Sequence, residues 1–338
     1  MIESFGILES GEEVHAITLG EPGGLQAQVL DYGGVLRRLV FPSRSGARDL
    51  VIALADLDTY VRDTTFQGTL VGRVANRIAG ASFELDGQPF RLSANDGANQ
   101  LHGGKLGFGK RVWKVLDLAG GPDHRLVLGM ESKAGEEGFP GNLDVTAEIV
   151  VHDAELHLRF EARCDAVTPV NLTWHPYFNL SGDMHRAVDE MGLRIAASSY
   201  LPVRDSQLIP TGELASVDGT PFDFRTQRAV RPPALTSNSQ LAHAGGYDHC
   251  WALDAERDCD AELWSPFSGI RMQVHTDRPG IQFYGGQHLA AGMHAGKNGI
   301  CLEPQGFPNA VNEPGFPSCL IRPGEVYRSS FVYRFADE

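Results

Sequence analysis

DVTAEIVVHDAELHLRFE, residues 144–161, carries the clearest periodicity in the chain and decides the class of fold. Val145, Ala147, Ile149 and Val151 are apolar and alternate with Asp144, Thr146 and Glu148. The segment His152-Asp153-Ala154-Glu155 interrupts the pattern. It resumes as Leu156, Leu158 and Phe160 against His157, Arg159 and Glu161. Successive side chains of a strand point to opposite faces, so a period of two gives one apolar and one polar face. The stretch reads as a half-buried β-hairpin.

The same period recurs on both sides of it. Phe83 and Leu85 lead into Asp86-Gly87, and Phe90 and Leu92 follow, a tight-hairpin signal. Ile270, Met272 and Val274 alternate after the turn Ser265–Gly269, and Phe331, Tyr333 and Phe335 alternate near the C-terminus. Helical pattern is scarce: Leu54, Leu57, Tyr60 and Val61 support one or two amphipathic turns. No repeated βαβ spacing appears, which disfavours a parallel α/β sheet. The candidate loops at 134–141 and 290–298 are short, with strand-like pattern on both sides. The expectation is one large antiparallel, all-β domain spanning residues 1–338.

Composition narrows the function. Apolar residues make up 42% of the 338, which excludes a disordered chain. The 43 acids and 29 bases leave a net charge of -14, which excludes nucleic acid or an anionic membrane as a partner of the general field. A small neutral ligand fits that balance. The five Cys include no CxxC pair, so neither a disulfide framework nor a zinc knuckle is indicated. No basic n-region, apolar leader or span of about 18 apolar residues occurs, so the expected setting is cytoplasmic. GxSxG, P-loop, HExxH and dinucleotide fingerprints are absent, and no metal is expected.

Five segments hold polar groups in apolar or turn-rich surroundings. In Gly72–Ile78, read as a strand, Arg73, Ala75 and Arg77 share a face, and guanidinium forks suit oxygen-rich ligands. The competing reading is a structural Arg paired with a carboxylate, and spacing alone favours it. His102 precedes Gly103-Gly104, where a ligand can approach the backbone closely. His175 lies between Trp174 and Tyr177 among amides and hydroxyls; aromatic faces suit the C–H faces of sugars. Asp248 in Gly246–His249 reads as a hydroxyl acceptor or as an Asx turn. Glu303 follows the apolar run Ile300–Leu302 and precedes Pro304, which places it at a strand end. A carboxylate there is costly unless used, and it suits a general base.

Taken together, these segments resemble the aldose 1-epimerase (galactose mutarotase) family. The likeness runs from about Gly68 to Phe335. It rests on GRVANRI (72–78), NQLHGG with GFGKRVW (99–113), NLTWHPYFNLSG (171–182) and CLEPQGFPNAVNEPGFPS (301–318), with GYDH (246–249) and PGIQFYGG (279–286) in support. The resemblance implies a large antiparallel β-sandwich of the supersandwich type with an open sugar cleft. It implies exchange of the α and β anomers of a free aldose without cofactor. Carried over by motif, Glu303 resembles the base and His175 the acid. Asn76, Arg77, His102, Asp248 and Gln282 match positions that hold sugar hydroxyls or the ring oxygen. The chain departs from the pattern at Trp174, Pro176, Gly285-Gly286-Gln287 and Asn309, and Trp174 is expected to reshape the cleft wall and bear on sugar preference.

Three other readings compete. A non-catalytic sugar-binding protein on the same fold would keep the aromatics and lose the acid or base, yet both Glu303 and His175 are present. A glycoside hydrolase needs two carboxylates flanking the bond, and Asp248 sits in a binder's motif. An epimerase of another sugar, a pentose or a modified hexose, keeps the same chemistry; a phosphorylated hexose calls for a basic pocket that the motifs lack. The expected partner is a monosaccharide, and the expected assembly a monomer or homodimer.

Overall fold

The computed structural model describes residues 1–289 and 298–337, so all but the end of the candidate loop at 290–298 lies outside the described residues. The hairpin forms as read. Leu143–His152 and Glu155–Cys164 pair antiparallel, with Leu143 opposite Cys164 and His152 opposite Glu155. Asp153 turns the chain at a φ of 48°, a left-handed conformation that Asp tolerates. Inward residues such as Ala147, Ile149, Leu156 and Leu158 are almost wholly buried, as the alternation requires.

This hairpin lies within a nine-stranded antiparallel sheet. Its order is Lys114–Ala119, His124–Ser132, Leu143–His152, Glu155–Cys164, Tyr327–Asp337, Ile270–Thr276, Ala261–Trp264, Gly192–Ile195 and Arg228–Ala229. The C-terminal strand is therefore central, hydrogen-bonded to Glu155–Cys164 on one side and Ile270–Thr276 on the other.

Two five-stranded antiparallel sheets pack with it. One is the N-terminal meander of Ile2–Ile7, Glu13–Leu19, Gln26–Leu30, Leu36–Ser43 and Gly46–Asp49. The other runs Ala215–Ser216, Ser199–Leu201, Asp248–Ala252, Gly280–Tyr284 and Cys301–Gln305. The inner faces of all three share one continuous core. Phe41 meets Phe335 with ring centroids 6.0 Å apart. Tyr333 packs on Phe178 at 5.0 Å and donates its hydroxyl proton to the Leu302 carbonyl at 3.3 Å. Sheets packed face to face over interdigitated side chains make a sandwich, as the resemblance implied.

The smaller elements follow local chemistry. Ser82–Leu85 and Gln88–Arg91 form the expected hairpin, with Asp86 and Gly87 at φ 51° and 77° as a tight turn demands. The helical turns fall at Leu57–Arg62, where the Asp56 carboxylate accepts from the Thr59 amide at 2.9 Å and caps the helix. A second short helix, Ser239–Ala244, is capped by Asn238 and ended by left-handed Gly245. Among the described residues no helix is long and apolar enough to cross a membrane. All five Cys are free.

Two expectations are corrected. Gly72–Ile78 is not one strand: Asn76 has a φ of 63°, Val74 makes an isolated parallel bridge with Asn171, and strand pairing is confined to Arg77–Ile78, with Gln100–Leu101. Arg73 therefore leaves the face of Arg77 and is buried elsewhere. Its guanidinium donates to the carbonyls of Pro140, Gly141 and Ser132 and to the Ser132 hydroxyl. The structural reading holds for Arg73, with carbonyls as partners rather than a carboxylate. Glu303 is not at a strand end but in the middle of Cys301–Gln305. That strand is an edge strand, which is where a proline such as Pro304 is tolerated.

Candidate active site

The period of two in three neighbouring strands builds the cleft floor. In Gly280–Tyr284, Ile281 and Phe283 enter the core, so Gln282 and Tyr284 face the other way. In Cys301–Gln305, Leu302 enters the core and Glu303 faces the cleft. Register places Gln282 opposite Glu303 and Asp248 opposite Tyr284. Gln282 donates from Nε2 to Asp248 Oδ1 at 2.6 Å. Asp248 is thus the first residue of a strand with its carboxylate in the cleft, not the centre of an Asx turn.

The facing wall comes from loops. His175 follows the strand Thr173–Trp174, with its amide bonded to the Thr69 carbonyl at 3.0 Å. Its Nε2 lies 3.7 Å from Glu303 Oε1. Asn76 and His102 hold each other: the Asn76 amide donates to His102 Nδ1 at 3.2 Å, and the His102 amide donates to the Asn76 carbonyl at 3.1 Å. Both need positive φ, 63° and 51°. Arg77 donates from Nε to Asp96 Oδ2 at 2.7 Å, which holds the guanidinium against the cleft. The fold thus brings together Asn76, Arg77, His102, His175, Asp248, Gln282 and Glu303 around a cavity of about 150 Å³.

Burial sets the electrostatics. Glu303 is 2% exposed, and desolvation, with Asp248 adding to it, holds its carboxyl well above the usual carboxylate range, while Arg77 opposes this. Desolvation also lowers His175 to about 4, against its backbone hydrogen bond and the charge of Asp63. His102 is held well below the ordinary imidazole value by burial, then by His175 and Arg77. Asp248 is raised by burial, with Arg77 and Gln282 opposing. Glu303 Oε2 and Gln282 Oε1 are buried without a hydrogen-bond partner, so the floor offers acceptors to a ligand's hydroxyls.

His102, His175 and Glu303 also place ligand-type atoms within 4.8 Å of one another. Sequence spacing gave no sign of this group. The tautomer of His102 argues against a metal there. Its Nδ1 faces the Asn76 N–H and must be the acceptor, so the cleft-facing Nε2 carries the proton. A metal on Nε2 would need Nδ1–H, aimed at another donor. His102 is built as a hydrogen-bond donor.

Two cleft residues, Phe66 and Tyr284, were not singled out from the sequence, whereas Tyr177 was read as an aromatic neighbour of His175. Phe66, in the left-handed region at φ 58°, sets its ring 4.6 Å from His102. Tyr177 packs 5.0 Å from His175 and donates to the Thr65 carbonyl at 2.8 Å. Tyr284 accepts from the His288 amide at 2.9 Å. Tyr284 was legible, because it is two residues from Gln282 on one strand. Phe66 was not, because a loop conformation alone delivers it.

Three of the departures from the family pattern, Trp174, Asn309 and Gln287, lie outside the cleft lining. Trp174 is fully buried and donates from its indole N–H to the Gly34 carbonyl at 3.0 Å. It belongs to the main core, so the expected reshaping of the cleft wall is overturned. Asn309 accepts from the Ala79 amide, and its own amide donates to the Arg77 carbonyl, so it props the backbone beneath the guanidinium. Gln287 bonds the carbonyls of Ala244 and Tyr247.

Comparison with known proteins agrees with this geometry. The family model described as Aldose 1-epimerase matches residues 15–334. The chain is 38% identical to the galactose mutarotase of Sus scrofa, over 98% of this chain and 97% of that protein. It is 34% identical to the aldose 1-epimerase of Escherichia coli K12, over 99% of both. Among solved structures, galactose 1-epimerase from Lactobacillus acidophilus superposes with a TM-score of 0.88 at 28% identity, covering 99% of this chain and 98% of that one. An aldose epimerase homologue from C. elegans gives 0.85 at 30% identity, over 95% and 98%. A family model matched over nearly the whole chain, and relatives at 34–38% identity over nearly all of both chains, show that the chain belongs to the aldose 1-epimerase family.

Proposed function

We propose that the protein interconverts the α and β anomers of a free aldose such as galactose or glucose, with Glu303 as base and His175 as acid. The observation that carries this is the 3.7 Å approach of His175 Nε2 to Glu303 Oε1 on the cleft floor. Ionised Glu303 takes the proton of the anomeric hydroxyl, and protonated His175 gives one to the ring oxygen. The bond from C1 to the ring oxygen breaks and a free aldehyde forms. Rotation about C1–C2 presents the other carbonyl face, and closure with reversed transfers yields the other anomer. Each positioned proton transfer contributes roughly 10²–10⁴ in rate.

The surrounding groups fit these steps. Moving one proton from Glu303 to His175 converts the neutral pair into the reactive ion pair without changing net charge. Arg77 favours the carboxylate and Asp63 the imidazolium, while burial favours the neutral pair. His102 Nε2–H and the Arg77 guanidinium stabilise charge growing on oxygen. Asn76, Asp248 and Gln282 hold hydroxyls and fix the sugar's register. One domain over residues 1–338 is part of the same reading, since a single cleft draws on residues from Asn76 to Glu303. A reducing cytoplasm suits five free thiols.

Polarimetry tests the reading. Added to fresh α-D-galactose or α-D-glucose, the protein accelerates the drift to equilibrium, and Glu303→Gln abolishes nearly all of that while sugar binding by calorimetry persists. Wild-type rates in Glu303→Gln would remove Glu303 from the base role. Sugar binding with no acceleration by the unmutated protein would leave a binding protein.

A further inference from the structure

Glu303 and Cys301 face the same way on the edge strand, two residues apart, and Cys301 is fully buried behind the cleft. Its sulfur lies 3.4 Å from His175 Nδ1, the nitrogen turned away from Glu303. Tyr177 packs with Cys301 in one apolar cluster. The Tyr177 hydroxyl also reaches the Thr65 carbonyl at 2.8 Å.

The direction of the Nδ1–sulfur contact follows from the other nitrogen of the ring. Nε2 lies 3.7 Å from Glu303 Oε1 and must be free to take the proton that Glu303 gives up when the reactive ion pair forms. The neutral ring then carries its proton on Nδ1. The Cys301 sulfur is left to accept the His175 Nδ1–H. Burial keeps the thiol from ionising, so the sulfur stays a neutral, weak acceptor.

We propose that Cys301 is a positioning residue that locks the proton of His175 on Nδ1 and leaves Nε2 as the nitrogen that cycles. This rests on the assignment of His175 as the acid. That role needs a single exchangeable nitrogen aimed at the ring oxygen, while the other keeps its proton throughout. Many acting imidazoles are oriented by a carboxylate, which also stabilises the charged form. A neutral sulfur orients without that stabilisation. It therefore leaves His175 a readier proton donor than a carboxylate partner would. The two imidazoles of the cleft are pinned in opposite senses: His102 accepts at Nδ1 from a backbone amide, whereas His175 donates at Nδ1 to sulfur.

The test is long-range ¹H–¹⁵N NMR of the folded protein with ¹⁵N-labelled histidine, read beside mutarotation kinetics. At neutral pH His175 is expected as the Nδ1–H tautomer. In Cys301→Ala the signal moves to a mixture of tautomers. In Cys301→Ala, kcat falls roughly tenfold, the worth of about one hydrogen bond, with KM changed less than about twofold. Cys301→Ser restores most of both readouts, because a hydroxyl can accept the same proton. A merely structural cysteine would lower the melting temperature without moving the tautomer or separating kcat from KM. Finding Nε2–H in the wild type, or an unchanged tautomer in Cys301→Ala, overturns the proposal. The tautomer is read without turnover, so a protein that holds Nδ1–H yet leaves mutarotation unaccelerated would refute the enzymatic reading, and with it the cycling role of Nε2, while the Cys301 lock on the tautomer would stand.

Discussion

At the residue scale, the pH dependence follows from two opposed shifts. Burial lowers His175 to about 4 and raises Glu303 well above its usual range. Between those limits the pair holds one proton, which it shares. Below about pH 4, His175 takes a second proton while Glu303 keeps its own, and the base is lost. Above the raised value of Glu303 both are deprotonated, and the acid is lost. A plot of kcat/KM against pH is therefore a bell, with its acid limb near 4 and its alkaline limb above the ordinary carboxylate range. A plateau that persists well below pH 4 would contradict the assignment. Trp174 belongs to the same scale. Trp174→Ala removes a fully buried indole and is expected to cost roughly 3–5 kcal/mol of stability. The ratio of kcat/KM for galactose to that for glucose should stay unchanged, because the ring lies in the core. A denaturant titration and a two-sugar kinetic comparison read the two effects separately.

At the element scale, the cleft combines a regular half and an irregular half. Alternation along three strands puts Asp248, Gln282 and Glu303 on one face of the floor; the sequence marked them only through their motifs, with Asp248 open as an Asx turn and Glu303 placed at a strand end. The wall was legible only as motifs. Asn76 and His102 turn in the left-handed region, so a strand reading of Gly72–Ile78 gave the wrong facing for Arg73. Gly103 shows what this half demands. At a φ of 87°, its added Cβ would sit 1.9 Å from the Gly72 carbonyl oxygen. Gly103→Ala should therefore destabilise the protein by more than about 1 kcal/mol and misplace His102. A lower melting point together with a raised KM is the expected outcome. A mutant with wild-type melting and kinetics would show that the backbone there yields freely.

At the scale of the whole molecule, the C-terminal strand Tyr327–Asp337 is the fifth of nine in the large sheet, while Ile2–Ile7 lies at the edge of its own sheet. Removing a central strand strips hydrogen-bond partners from two neighbours and uncovers Phe331, Tyr333 and Phe335 in the core. Deletion of residues 327–337 should abolish cooperative thermal unfolding by circular dichroism. Deletion of residues 1–7 removes a single pairing and a mostly exposed strand, and should leave a cooperative transition at lower temperature. Equal effects of the two deletions would refute the argument from sheet position. The net charge of -14 sits easily with this architecture, since the cleft gathers Arg77, His102 and His175 around a neutral ligand while most acids line the outside.

The sequence by itself determined the all-β class, the main hairpins and the identity of the cleft groups. Alternation of apolar side chains and the turn chemistry of Asp86-Gly87 are local properties that a strand expresses wherever it lies. The tertiary structure alone decided which groups meet. Cys301 and His175 are 126 residues apart, yet sulfur and imidazole touch. Asn76 and His102 fix each other's backbones across 26 residues. Trp174 and Arg73, each inside a motif, turned out to serve the core and a buried carbonyl cage. Such pairings depend on sheet order, register and positive-φ turns, which are settled by packing between distant segments.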